Sequence, residues 1–350
     1  MEKQRLIFLD IAIGIAILAV IIGHAGVDHY KVVTYAMFLF HVPLFFLRSG
    51  YLINEKKEPA SYIFNSIKRL LPPYLILCLG IWLADCCTMI AFKGSINLKE
   101  MTISRIIATL YAAGRTVTLP NGYMVLPCGY GWFFVALLVA RLAVYFMVRK
   151  NDNITSLLWV SLLACAGVKL TLMGYWPPFS LFPACIATVY VYLGWWMKKT
   201  NFLNRPLKVS VVVIGILLWI FLSRKMPLDI CKALVQQGML AIIGSLLACL
   251  LVITLSQKLA RKENLTLFVR FLRWCGENSL WILVVSGIES RFYPYYNFFE
   301  ILSQSMGNYL VAYILLLLAK ITLTLSLTFV VKKLYSFLGD KLRTEQTIHG

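Results

Sequence analysis

Apolar residues come in long runs along this chain, bounded by short polar segments, and the runs are longer than a soluble core requires. A bilayer core of roughly 30 Å takes about 20 apolar residues per helix. About ten runs reach or approach that length: 6–26, 32–53, 71–92, 129–148, 156–173, 180–197, 209–223, 234–255, 279–292 and 308–331, of which the seventh and ninth are short. The pattern predicts an all-α, polytopic integral membrane protein with about ten transmembrane helices. No small-residue cleavage site follows the first run, so no removable signal peptide is expected. The longest segment between runs, 93–128, contains GSINLKE, AAGRT and LPNGYMVLPCGYG. Its Gly and Pro punctuation predicts a loop on the outer side with one amphipathic helix around 102–113. The sequence holds no internal repeat, low-complexity tract or separate soluble stretch, and residues 1–350 are expected to form one membrane-embedded domain.

Composition agrees, and charge adds an orientation. Hydrophobic residues make up 60% of the chain and charged residues 14%, and the mean hydropathy is +0.78. A net charge of +19 invites comparison with nucleic-acid binders, but the 34 Lys and Arg residues follow the membrane instead. With the N-terminus inside, 21 of them fall in inner segments and nine in outer ones, which predicts both termini in the cytoplasm. Anionic lipid headgroups account for most of that charge. Basic ribbons with interleaved aromatics are not seen in the sequence, so no nucleic-acid partner is expected.

Four cations remain inside the runs: Arg48, Arg141, Lys169 and Lys320. Arg141, Lys169 and Lys320 are expected to snorkel toward an interface. Arg48 differs in its company, because FLFHVPLFFLRSGYL, 38–52, places His41 in the same span. Three of the four histidines lie within the first 41 residues. His29, in the short turn GVDHYK, is expected to be solvated. His24 closes the first run and His41 lies within the second, and an ionisable residue inside a span marks a candidate functional site. A histidine bonded only to a neighbouring helix is the competing reading for each. The nine cysteines include no CxxC pair and no His partner at zinc spacing, so no metal site is expected. Cys128 and Cys231, with Cys86 and Cys87 near an outer helix end, leave room for one disulfide.

Helical geometry sharpens the pattern. At about 100° per residue, Asp10, Ile13, Ile17 and His24 fall within about 60° of one another on the first helix. His41 and Arg48, seven residues apart, form a second stripe. A short turn joins the two helices, so they are expected to pack as an antiparallel hairpin with these stripes facing each other, away from lipid.

RLIFLDIAIGIAILAVIIGH (5–24), then FHVPLFFLRSGYL, then IKRLLPPY (67–74) carry a resemblance to the membrane acyltransferase 3 family, in the flavour of bacterial sugar O-acetylases such as fucose 4-O-acetylase-like proteins. GWFFVALLVAR from Gly131 and GENSLWILVV from Gly276 are similar to later signatures of that family. The resemblance implies a multi-pass enzyme of the bacterial plasma (inner) membrane. It implies transfer of an acyl group, usually acetyl from cytoplasmic acetyl-CoA, to a hydroxyl of an envelope carbohydrate or lipid-linked sugar outside. The chain departs from the family at two positions. The family usually has Arg or Lys eleven residues before the first-span histidine, where this chain has Ile13, and often a histidine in the ninth span, where it has Ser286. Position 48 is usually uncharged in such proteins, and Ile13 and Arg48 lie at similar depth, so the missing cation is expected to have crossed the hairpin to Arg48.

A sugar hydroxyl is a poor nucleophile at neutral pH, so acyl transfer needs a base that titrates near neutrality, and histidine is the usual choice. His24 is expected to deprotonate the acceptor directly or to take the acyl group first. His41 is expected to orient it or to stabilise the oxyanion. Asp10 and Arg48 belong to the same polar seam, and Arg5, Lys68 and Arg69 at the inner rim offer fixed charge for the phosphates of CoA. Eleven residues span about 16 Å of helix, so a donor anchored inside can present its acyl end toward His24. Pro43, Ser49 and Gly50 are expected to be structural, allowing close packing and a local break in the second helix. Two other readings compete: a catalytically degenerate family member that serves as a binding partner, and a transporter or flippase of envelope precursors. A transporter favours inverted repeats with interrupted helices in both halves, which the sequence does not display.

Overall fold

A computed structural model describes residues 2–93, 97–225, 228–261, 266–293 and 295–348, with side chains described over 7–27, 29–91, 97–225, 228–261, 266–293 and 295–334. The chain is almost wholly helical: α1 Glu2–Gly23, α2 Lys31–Phe38, α3 His41–Tyr51, α4 Pro59–Lys93, α5 Leu98–Tyr111, α6 Gly131–Lys150, α7 Asn153–Leu172, α8 Leu181–Lys199, α9 Val209–Leu222, α10 Gly238–Ala260, α11 Leu267–Glu277, α12 Ser279–Glu289, α13 Tyr295–Met306 and α14 Tyr309–Ile348. Two small antiparallel hairpins, β1 Val117–Thr118 with β2 Met124–Val125 and β3 Leu228–Asp229 with β4 Leu234–Val235, lie in the connections.

Each of the ten apolar runs contains a helix, with two adjustments. The second run breaks at Leu39–Phe40 into α2 and α3, and the eighth begins with β4 so that its helix starts only at Gly238. The helix expected around 102–113 is α5, which starts earlier because Asn97 caps it by accepting a bond from the Glu100 amide at 3.2 Å. Among the described residues, six segments suffice by length and composition to cross a membrane: Lys31–Tyr51 taken across its break, Pro59–Ala91, Gly131–Lys150, Asn153–Leu172, Gly238–Ala260 and Tyr309–Leu334. Ile7–Gly23, Val209–Leu222 and Ser279–Glu289 are apolar but shorter. α4, α7, α9 and α14 present many large aliphatic side chains outward, among them Leu79, Leu158, Leu217 and Leu318, as helices that face lipid do. Carboxylates start two of the helices. Glu58 accepts bonds from the amides of Ser61 and Ala60, and Asp152 is held by the Thr155 hydroxyl and amide; these contacts hold both carboxyls below the usual carboxylate range.

Two close helix crossings fix α1 and α3. α1 runs against α11 through Gly14 and Gly276, and α3 runs against α8 through Gly50 and Gly194. A Cβ on Gly50 would stand 1.8 Å from the Val191 carbonyl oxygen, and one on Gly194 would stand 1.9 Å from that of Leu47. Glycine there lets the backbones touch, a contact that membrane helices use because dispersion supplies what hydrophobic burial cannot. Gly194→Ala should therefore push α8 off α3 and cost about 1–3 kcal/mol, visible as a lower midpoint of thermal unfolding in detergent. An unchanged midpoint would contradict the crossing.

Candidate functional site

The break between α2 and α3 builds the site. His41 is the first residue of α3, and its Nδ1 donates to the Met37 carbonyl in α2 at 2.5 Å, tying the two half-helices together. His24 follows the end of α1, and its Nδ1 donates to the Val20 carbonyl at 2.9 Å. A carbonyl oxygen only accepts, so Nδ1 carries the proton in both rings and Nε2 is left as the lone-pair nitrogen. His41 Nε2 is buried with no hydrogen-bond partner among the described residues. The two rings stand edge to face with centroids 5.9 Å apart, with Phe38 against both and Tyr130 at 4.9 Å from His24. They face a cavity of about 270 Å³ whose far wall is the β3–β4 turn, where Asp229 pairs with Lys232 at 3.0 Å.

Nearer the N-terminal end of α1 lies a second cavity, of about 350 Å³, lined by Arg48, Lys68, Arg69, Arg141 and Glu277. It adjoins a third, of about 300 Å³, through Leu52, Arg69, Leu70 and Arg141. Pro72 and Pro73 lie inside α4 on this wall, and their rings remove two amides from the helix ladder there. Arg48 Nη2 donates to Asp10 Oδ1 at 2.8 Å, with both side chains about a fifth exposed, at 19% and 18%. Ile13, where the family usually carries a cation, is fully buried in the apolar core and lines none of the three cavities. Of the expected seam, the structure thus brings His24 to His41 and Asp10 to Arg48, and it places Lys68 and Arg69 beside Arg48. The side chain of Arg5 lies outside the described residues.

Three readings of single residues change. Lys320 does not snorkel: it is fully buried on α14, donates from Nζ to the His24 carbonyl at 2.6 Å, and lies 4.3 Å from the centre of the Tyr295 ring. Glu289 is also buried; its Oε1 accepts from Tyr295 at 2.8 Å. An ammonium caps the carboxyl end of α1 at the candidate base, where the helix carries partial negative charge. Arg141 does not snorkel either. It donates to the Tyr62 hydroxyl at 2.8 Å and to Ser49 at 3.4 Å, so Ser49 lines the basic cavity besides packing α3. Lys169 is exposed on α7, and His29 is exposed and stacked on Tyr309 at 4.9 Å. All nine cysteines are free, so the disulfide is not formed. Spacing along the sequence does not tie Lys320 or Asp229 to the histidines, because each joins them from a distant part of the chain.

The arrangement is a lone-pair nitrogen facing one cavity, with a cluster of guanidiniums on the next. No curated protein and no solved structure matches this chain. A family model described as an acyltransferase domain matches residues 6–332, nearly the full length. The chain belongs to the acyltransferase 3 family and is a membrane acyltransferase.

Proposed function

We propose that the protein is an O-acyltransferase that moves an acetyl or other acyl group from cytoplasmic acyl-CoA to a hydroxyl of a cell-envelope carbohydrate or lipid-linked sugar at the bacterial inner membrane. The observation that carries this reading is His24, its Nδ1 proton committed to Val20 so that Nε2 is the lone-pair nitrogen, in a cavity next to one lined by Arg48, Lys68, Arg69 and Arg141. The excess of Lys and Arg in the inner segments supports a cytoplasmic location for the basic cavity. Arginines suit bidentate contact with phosphate, and four cations against Glu277 and Asp10 leave the wall net positive, so the residues present fit an anionic donor.

Acyl-CoA, when bound, supplies an activated carbonyl carbon and a thiolate leaving group. His24 Nε2 takes the proton of the acceptor hydroxyl as that oxygen bonds to the acyl carbon. The carbon–sulfur bond then breaks, and the imidazolium returns the proton to the departing sulfur. Lys320, bonded to the His24 carbonyl, holds the backbone that carries the ring. His41 orients the acceptor rather than the oxyanion: with Nδ1–H committed to Met37, its neutral ring offers only an accepting Nε2, and an oxyanion needs a donor.

Mass spectrometry of surface glycans from cells with and without the protein tests the reading. The expected result is an added acyl mass, one acetyl per repeat, that depends on the protein. The degenerate-relative reading, favoured by the apolar burial of Ile13 and by Ser286, expects identical glycans in both strains.

A further inference from the structure

The histidine cavity and the basic cavity share one lining residue, Phe45. α3 passes from one to the other within about two turns: His41 and Val42 face the histidines' side, Arg48 and Ser49 face the cations' side, and Phe45 faces both. Two further helices repeat the alternation one turn apart. α6 gives Phe133 to the first cavity and Leu137 to the second, and α12 gives Leu283 to the first and Leu280 to the second. The Phe45 ring is buried and stands edge-on to Phe133 at 5.4 Å. The partition between the cavities is therefore apolar, with one aromatic ring at its centre. It offers nothing to a phosphate, so a donor held by the cations reaches the histidines only through its uncharged thioester end.

We propose that Phe45 is the gate between donor and base, and that the bulk of its ring limits the enzyme to short acyl groups. This rests on the proposed function, because it assumes that the donor is anchored among Arg48, Lys68, Arg69 and Arg141. A ring that must swing aside for each thioester has room to clear a two-carbon acyl group in a packed interior, whereas a longer chain has to displace Phe133 or Leu283 as well. Hydrophobic pockets discriminate chain length by such clashes, at roughly ten- to two-hundredfold per step.

Inverted membrane vesicles from cells that make the protein provide the test. They are supplied in parallel with radiolabelled acetyl-CoA and hexanoyl-CoA, and ester-linked label in the envelope carbohydrate is released with alkali and counted. The ratio of hexanoyl to acetyl transfer is independent of how much protein folds. Phe45→Ala should raise that ratio about tenfold or more, Phe45→Leu should raise it less, and Phe45→Trp should depress transfer from both donors. Should Phe45→Ala not accumulate, as a large-to-small change in a packed core permits, the Phe45→Leu ratio decides. Acetyl transfer with an unchanged ratio in Phe45→Leu and Phe45→Ala overturns the gate and leaves the function standing. No transfer from either donor by the unsubstituted protein overturns both.

Discussion

His24→Ala should abolish acyl transfer while the protein still inserts and accumulates. The ring is half-buried at the end of α1, and its one hydrogen bond among the described residues, from Nδ1 to Val20, belongs to its own helix turn. Removing it enlarges a cavity and gives up ring contacts with Phe38, His41 and Tyr130, but it breaks no hydrogen bond between helices among the described residues, so the structural cost is modest. Loss of a general base costs about 10² to 10⁴ in rate, and the acceptor has no other lone-pair nitrogen in the cavity except His41 Nε2. His41→Ala should cost about tenfold, an orientation effect. It should also lower the unfolding temperature, because His41 Nδ1 bridges the break between α2 and α3. Lys320→Met should fall between them, reducing kcat with little effect on the KM for the donor, since Lys320 touches the backbone of His24 and lines none of the described cavities. Surface-glycan acylation, with purified protein followed by thermal unfolding, separates the three. Normal acylation by His24→Ala removes His24 from the mechanism.

The helices were legible in the sequence because lipid imposes one rule, a run of apolar residues of fixed length, and the chain obeys it nearly end to end. The hairpin of α1 with α2 and α3 was legible for the same reason that it forms: neighbours in sequence joined by a short turn have few other ways to pack. Hence Asp10 with Arg48, and His24 with His41, were accessible from spacing alone. The break at Leu39–Phe40 was only half visible. Pro43 announces a helix start, since its missing amide is no loss in a first turn, but nothing in Phe38–Leu39–Phe40 marks where the preceding helix stops. Lys320 was misread because snorkelling is judged from depth along one helix, whereas its partner, the His24 carbonyl, is 296 residues away. Asp229 was missed because the run from Leu234 looked apolar enough to be helix, which hid the β3–β4 turn that closes the histidine cavity.

Arg48→Leu is expected to produce the second large effect, and it separates a structural charge from a donor-binding one. In the intact protein Arg48 bonds Asp10 while facing the cavity that Lys68, Arg69 and Arg141 also line. The single change leaves the Asp10 carboxylate without its partner, and breaking such a partly buried pair costs up to about 3 kcal/mol, so the thermal midpoint should drop clearly. Asp10→Asn combined with Arg48→Leu removes both charges and should restore most of that stability, since no ion is then stranded. The double variant also returns the cavity to the net charge of the unsubstituted protein, because one cation and one anion are lost together. Acyl-CoA kinetics on the two variants then divide the roles. If Arg48 itself contacts the donor, the KM should stay about tenfold raised in the stable double variant, as expected for loss of a charge-assisted bond to phosphate. A KM that recovers along with stability would make Arg48 a partner of Asp10 alone and leave Arg69 and Arg141 as the anchors. Placing an arginine at Ile13 is no substitute, because that side chain is sealed in the core and lines none of the three described cavities. The Arg48 guanidinium meets α1 at Asp10, about one turn from Ile13, the position where the family usually carries a cation.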